Sequence, residues 1–300
     1  MRNEQFIDYI TFEKRYSSHT LLAYNTDLNE FKDYLKFQYT IDDLAQAGHE
    51  QIRSWLMMLY EQKISARSIN RKISSLKSFY RYCLRQGSIT VNPMIKVVAP
   101  KSPKLLPIFL TKDNLDDLIN KIDFGSGYKA SRDKLMLMLF YATGMRCSEL
   151  TQLGIPDIDF SNLTIKVLGK RNKERIIPFG PSLNNVLNDY LVIRIAFLSE
   201  QNILTNMQKP ALFLTSKGLP CYSKLTYNIV HKYLSLVASN HKLSPHVLRH
   251  TFATHMLDDG AHLNAIKEIL GHSSLAATQV YTHNTITKLK SIYKQAHPRA

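Results

Sequence analysis

Prolines at positions 93, 100, 103 and 107 punctuate residues 91–107, and no helix or paired strand runs far through such a stretch. A chain of 300 residues broken at its first third is expected to fold as two domains: 1–92, a linker over 93–107, and 108–300. Lys96, Lys101 and Lys104 keep the linker basic. It reads either as a strap lying along a polyanion or as a stiff spacer.

The first hundred residues read as helical. Ser17 and Thr20 offer caps, after which Tyr24, Leu28, Phe31 and Leu35 recur at helical spacing. A second helix should hold Ile52, Trp55, Leu56, Leu59 and Tyr60. A third, from about Ser65 to Gly87, should bury Ile69, Ile73, Leu76, Phe79, Tyr80 and Cys83. Its other positions carry Arg67, Arg71, Lys72, Lys77, Arg81 and Arg85, several of them four apart. A solvated basic face is one reading of these stripes. Contact with phosphates is the other, and no acidic residue sits among them to form pairs. On that ground Arg67, Arg71, Lys72, Lys77 and Arg81 are expected at a nucleic-acid backbone.

Charge supports a polyanionic partner, since 39 Lys and Arg face 24 Asp and Glu for a net +15. The start lacks the plan of a signal peptide, and the longest apolar run, 135–142, is too short for a bilayer. Cys83, Cys147 and Cys221 are few and widely spaced, which suggests neither a disulfide framework nor a zinc motif. A cytoplasmic protein with reduced thiols and no membrane contact is expected.

The second domain should open with a helix from Thr111 to about Ile122, then a buried helix from Asp133 to Thr143 ended by Gly144. Arg146 follows at once, in Gly-Met-Arg-Cys-Ser-Glu-Leu. Residues 163–168 and 174–179 alternate as two strands of a hairpin, with Gly169, Lys170 and Lys173 in its turn. Helices over 182–198 and 222–237 and a short strand at 211–214 read as core. The class is mainly α, with a small antiparallel sheet.

Chemistry concentrates in 243–282. Ser244 is a good N-cap and Pro245 a good first residue for a helix running to Asp258, with Gly260 beyond its end. His246 and Arg249 then share a face near the anion-favouring helix start. A second helix, about 262–270, ends at Gly271 and throws His272 into a turn; a third ends near Tyr281. An Arg can clamp two phosphate oxygens, imidazoles can move protons near neutral pH, and a phenol can hold a phosphate covalently. Each residue also has an ordinary reading. Lys170 could be a solvated turn lysine, His272 a helix cap and Tyr281 a core ring, while His255 and His283 suit structural roles. His246 and His250 could ligate zinc only without the glutamate such helices carry.

His-x-x-Arg, then Leu-Gly-His, then Tyr nine residues on resembles the tyrosine recombinase (phage integrase) family, and so does Gly-Met-Arg-x-Ser-Glu-Leu. The resemblance covers nearly the whole chain and is strongest in 135–153, 169–179 and 243–300. It implies a four-helix-type core-binding (SAM-like) domain that clamps DNA, followed by an α+β catalytic domain. It assigns Arg146, Lys170, His246, Arg249, His272 and the nucleophile Tyr281 as catalytic, with Glu149 as a structural carboxylate. Lys173 and Arg175 would be ordinary DNA-backbone contacts. No metal and no ATP are implied. The ending His-Pro-Arg-Ala is particularly similar to Xer-type recombinases, as is the expected lack of an arm-binding module before residue 16. The implied partners are double-stranded recombination sites, a homo- or hetero-tetramer joined through the C-terminal helix, and possible XerC- or XerD-like and DNA-translocase partners. An integrase of a mobile element, or a non-catalytic DNA-binding protein on the same fold, is the alternative.

Overall fold

The computed structural model describes residues 2–101, 108–169, 173–203, 209–238, 243–271 and 291–297. The chain separates into two compact units, Met1–Leu105 and Leu106–Ala300.

The first unit contains α1 (Arg2–Asp8), a π-helical turn (Tyr9–Glu13), α2 (Ser18–Tyr39), α3 (His49–Glu61) and α4 (Ala66–Arg85). Side chains start α2 and α4: Ser17 accepts from the Thr20 N–H and Ser65 from the Ser68 N–H. The apolar stripe expected of α4 is buried, and Phe31 of α2 packs on Trp55 of α3 with ring centroids 4.8 Å apart. Helix α1 goes unnoticed in the sequence, since only its Phe6 is buried and the next core residue, Ile10, lies in the turn that follows. Phe6 meets Phe79 edge-on at 5.6 Å.

One expectation for α4 needs correction. Asp27 of α2 is fully buried and accepts from Arg71 Nη1 (2.7 Å), Lys72 Nζ (3.2 Å) and Ser75 Oγ (2.8 Å). Lys72 also pairs with Glu30 and is only 4% exposed, so its ammonium faces α2 and is withheld from any phosphate. The acidic partners missing from α4 are supplied by its neighbour. Arg71 shares Asp27 but keeps an exposed side chain, Arg67 and Arg81 are exposed, and Lys77 is half-buried.

The second unit begins with α5 (Lys112–Asp116), capped by the Thr111 side chain, and a π-helical turn (Asp117–Lys121). Then come α6 (Gly127–Thr143) and α7 (Cys147–Thr151). The antiparallel sheet follows in the order β1 (Ile158–Asp159), β2 (Thr164–Leu168), β3 (Glu174–Pro178). Helices α8 (Pro181–Glu200), α9 (Ser223–Val237), α10 (Pro245–Asp258) and α11 (Leu263–Leu270) complete the labelled elements. Helix α6 is buried almost all round. It starts earlier than the sequence suggests, because Tyr128 is already core and stacks on Phe197 of α8 at 4.1 Å.

The strand expected at 211–214 is instead an irregular segment with single bridges Gly154↔Ala211 and Leu214↔Pro220. Side chains take its carbonyls in place of a ladder: Arg194 and Tyr190 bond Leu212 O, and Arg132 bonds Leu214 O. Residues 291–296 are helical, and Tyr293, Ala296 and His297 are buried. The Tyr293 ring stacks on His297 at 4.6 Å, and His297 lies against Tyr141 and Phe252 of the same chain. Among the described residues no helix is long and apolar enough to cross a membrane.

Candidate active site

The site forms where α6 and α11 end. Gly144 closes α6 with φ +59°, and a Cβ there would come within 2.5 Å of Phe252 Cδ1 and 2.7 Å of Leu270 Cδ2. Only glycine lets α6 end so close to α10 and α11. Its carbonyl accepts Arg249 Nη1 at 2.6 Å, while Arg249 Nη2 reaches Leu270 O at 2.7 Å. Arg249 is 9% exposed. Burial, and then the nearby Arg146, push its pKa down to about 10, so it remains a cation at neutral pH.

Arg146 sits in extended conformation at the start of α7, where Glu149 reaches back to it. The carboxylate accepts the Arg146 backbone N–H at 2.7 Å and Nη1 at 2.8 Å. Arg146 Nη2 lies 3.4 Å from Gly271 O, next to the carbonyl that Arg249 uses. About a third of the Arg146 side chain is open to solvent.

Arg175 of β3 grips both oxygens of Glu149, Nη1 to Oε1 at 2.9 Å and Nη2 to Oε2 at 2.8 Å, and its Nε donates to Ile269 O at 2.6 Å. Burial alone would raise the Glu149 pKa. The Arg175 fork, and then the Arg146 backbone and side chain, outweigh it and hold the carboxyl at about 2. Three guanidiniums against one carboxylate leave two positive charges. The carbonyl ends of α6 and α11 offset part of that cost through their helix dipoles. The surplus opens through Arg146, which makes the place a seat for an anion with oxygens to share.

The remaining expected residues divide. His246 is exposed in the first turn of α10, one turn before Arg249. Ser244 precedes this helix in extended form, but its side chain makes no capping bond. His255 is buried as a structural residue between the Tyr141 hydroxyl (3.1 Å) and Leu110 O (3.0 Å), and burial lowers its pKa. Lys170, His272, Tyr281 and His283 lie outside the described residues. Among the described residues no group of three or more His, Cys, Asp or Glu is placed to hold a metal ion.

Arg175 is the second correction. Expected at a DNA backbone, it is 4% exposed at the centre of the site, whereas Lys173 is exposed. The sequence did carry a signal for this. Residues two apart on a strand share a face, and Ile177 is an obvious core residue, so Arg175 had to point inward as well.

Comparison with known proteins adds to this geometry. Residues 108–288 match the model of the phage integrase family, and residues 4–87 that of the phage integrase N-terminal SAM-like domain. The chain is 38% identical over 297 residues to the tyrosine recombinase XerC of Oceanobacillus iheyensis, covering 99% of this chain and 96% of that protein. It is similar in fold to the XerH site-specific recombinase bound to palindromic difH substrate in a post-cleavage complex. There the TM-score is 0.70 at 21% identity, with 97% of this chain and 80% of that one covered. A lambda integrase tetramer bound to a Holliday junction gives 0.68 at 17% identity, covering 92% of this chain and 74% of the other.

Proposed function

The chain belongs to the phage integrase family of tyrosine recombinases, and from that premise we propose how its site cuts and rejoins DNA. It is a site-specific tyrosine recombinase of the Xer type. The observation that carries the chemistry is the convergence of Arg146 and Arg249 on neighbouring carbonyls at the end of α11. Two guanidiniums so placed can share the non-bridging oxygens of one phosphate and neutralise the charge that builds up as phosphorus becomes five-coordinate.

The Tyr281 oxygen attacks phosphorus and the bond to the 5′ oxygen breaks, leaving a 3′-phosphotyrosyl link. His246 takes the phenolic proton, Lys170 gives one to the departing 5′ oxygen, and His272 donates to the phosphate. The link keeps the energy of the original diester, so religation by a 5′ hydroxyl needs no ATP. The two arginines supply the charge that a divalent ion provides elsewhere, so the reaction runs without metal. Arg67, Arg71, Lys77, Arg81 and Lys173 meet the DNA backbone.

The biological setting we propose follows from the Xer-type resemblance. The chain resolves dimeric chromosomes or plasmids in the cytoplasm, as a tetramer on paired sites, alone or with a second recombinase. The socket of Tyr141 and Phe252 that receives the chain's own 291–297 segment is also the seat for a neighbour's tail.

The test is a nicked suicide duplex carrying the sequence that the protein selects from random DNA, incubated in EDTA. The wild type should give a covalent adduct on a denaturing gel and Tyr281→Phe none. Tight binding without any adduct would instead point to a non-catalytic DNA-binding role.

A further inference from the structure

Arg175 bonds Glu149 and the end of α11, and the site is assembled around it. It leaves the base of the hairpin that carries Lys170, paired across the sheet with Val167. Its fork holds Glu149, and Glu149 in turn holds Arg146 by backbone and side chain. Its Nε ties down Ile269 O in the last turn of α11.

Two glycines lie against the same guanidinium. A Cβ on Gly271, the residue before His272, would come within 3.1 Å of Arg175 Cδ and 3.3 Å of Nη1. A Cβ on Gly169, the residue before Lys170, would come within 3.4 Å of Nη1 and 3.5 Å of Glu149 Oε1. With its side chain about 5% exposed, Arg175 has no surface left for DNA.

We propose that Arg175 is a positioning residue for strand cleavage. Among the described residues its guanidinium seats Arg146 through Glu149 and lies against Gly169, at the base of the Lys170 hairpin, and Gly271, the residue before His272. It acts through Glu149, Gly169 and the end of α11, and this role rests on the recombinase chemistry proposed above. A lysine would preserve the charge, but it lacks the rigid planar fork whose separate nitrogens meet the two carboxylate oxygens and the helix carbonyl.

The experiment uses the full-length protein on the nicked duplex carrying its selected site. It follows the single-turnover rate of adduct formation, binding of the intact duplex, and the thermal midpoint. Arg175→Lys should fold and bind duplex as the wild type does but form adduct about 100-fold more slowly, the scale set by misplacing reacting groups by an ångström. Arg175→Gln should also move the acid limb of the rate–pH profile to higher pH, because Glu149 loses the partner that most favours its ionised form. Because that variant leaves a buried carboxylate short of partners, the pair Glu149→Gln and Glu149→Gln/Arg175→Gln guards against misfolding. If Arg175 works through Glu149, the second substitution adds little to the first. A wild-type rate in Arg175→Lys, or slowing matched by equal loss of duplex binding, would overturn the positioning role. A wild type that forms no adduct takes the recombinase chemistry down along with it.

Discussion

Asp27 in the first unit and Glu149 in the second are both buried carboxylates held by basic side chains from a neighbouring element. Around Asp27 the charges cancel. Arg71 and Lys72 face Asp27 and Glu30, and a serine hydroxyl completes the set. Around Glu149 they do not, because Arg146, Arg175 and Arg249 leave positive charge in excess and Arg146 opens it to solvent. The same local chemistry therefore joins two helices in one place and makes an anion seat in the other. What separates them is two surplus positive charges, since both clusters reach solvent, one through Arg71 and the other through Arg146.

The sharpest way to break this contrast is to neutralise the balanced cluster. Asp27→Asn leaves Lys72 buried with Glu30 as its remaining carboxylate partner, and losing one member of a buried pair costs about 3–5 kcal/mol. Urea melts should show that loss, while adduct formation per folded molecule stays at the wild-type rate. Slower cleavage in the folded variant would mean that the first unit shapes the reaction as well. The converse substitution, Arg249→Gln, should lower the adduct rate by about 10²–10³-fold, or roughly 3–4 kcal/mol of transition-state stabilisation. Binding of intact duplex should change little, and a cleavage rate near wild type would remove Arg249 from the chemistry.

Acid sharpens the comparison next. The folded Glu149 carboxyl lies at about 2, below its ordinary 4.5, so its ionised form stabilises the native state. That contribution is complete above the unfolded value and is lost as pH falls from about 4.5 toward 2. It amounts to about 3 kcal/mol at most. Melts of the wild type and Glu149→Gln should differ at pH 6 and converge as pH falls toward 2. A gap that stays constant across this range would show that Glu149 contributes through shape alone.

The two clusters also mark where sequence reading succeeds. The helices were legible because their apolar residues recur at helical spacing, as in α4, and because Ser17, Ser65 and Thr111 announce where helices start. The motif strings around Arg146 and Arg249 single out two arginines that the fold brings to one helix end. Lys72 was misread because its partners come from α2. Scanning α4 for acids cannot reveal a pair made between helices. Arg175 was misread although its alternation with Ile177 turned it inward, because it ends a basic hairpin run, and its partners Glu149 and the carbonyl of Ile269 come from distant parts of the chain. Buried charges are set by tertiary partners, and their local sequence resembles surface. Helix α1 escaped notice because so few of its residues reach the core.

The finest comparison pairs two glycines. Gly87 follows α4 with φ +68°, and a Cβ there would meet nothing within 4 Å. Gly271 follows α11 with φ +65°, and its Cβ would press on Arg175. Alanine at either position takes on the same left-handed backbone penalty, about 1 kcal/mol, so melts of Gly87→Ala and Gly271→Ala should fall by similar amounts. Cleavage should separate them. Gly87→Ala should form adduct at the wild-type rate, because nothing lies beside it to be displaced. Gly271→Ala forces Arg175 aside by a few tenths of an ångström, and through Arg175 moves Glu149 and Arg146, which should slow adduct formation by about tenfold. Equal rates in the two variants would show that the guanidinium yields without carrying the site along. The reaction would then depend on the charge of Arg175 and not on where it holds its neighbours.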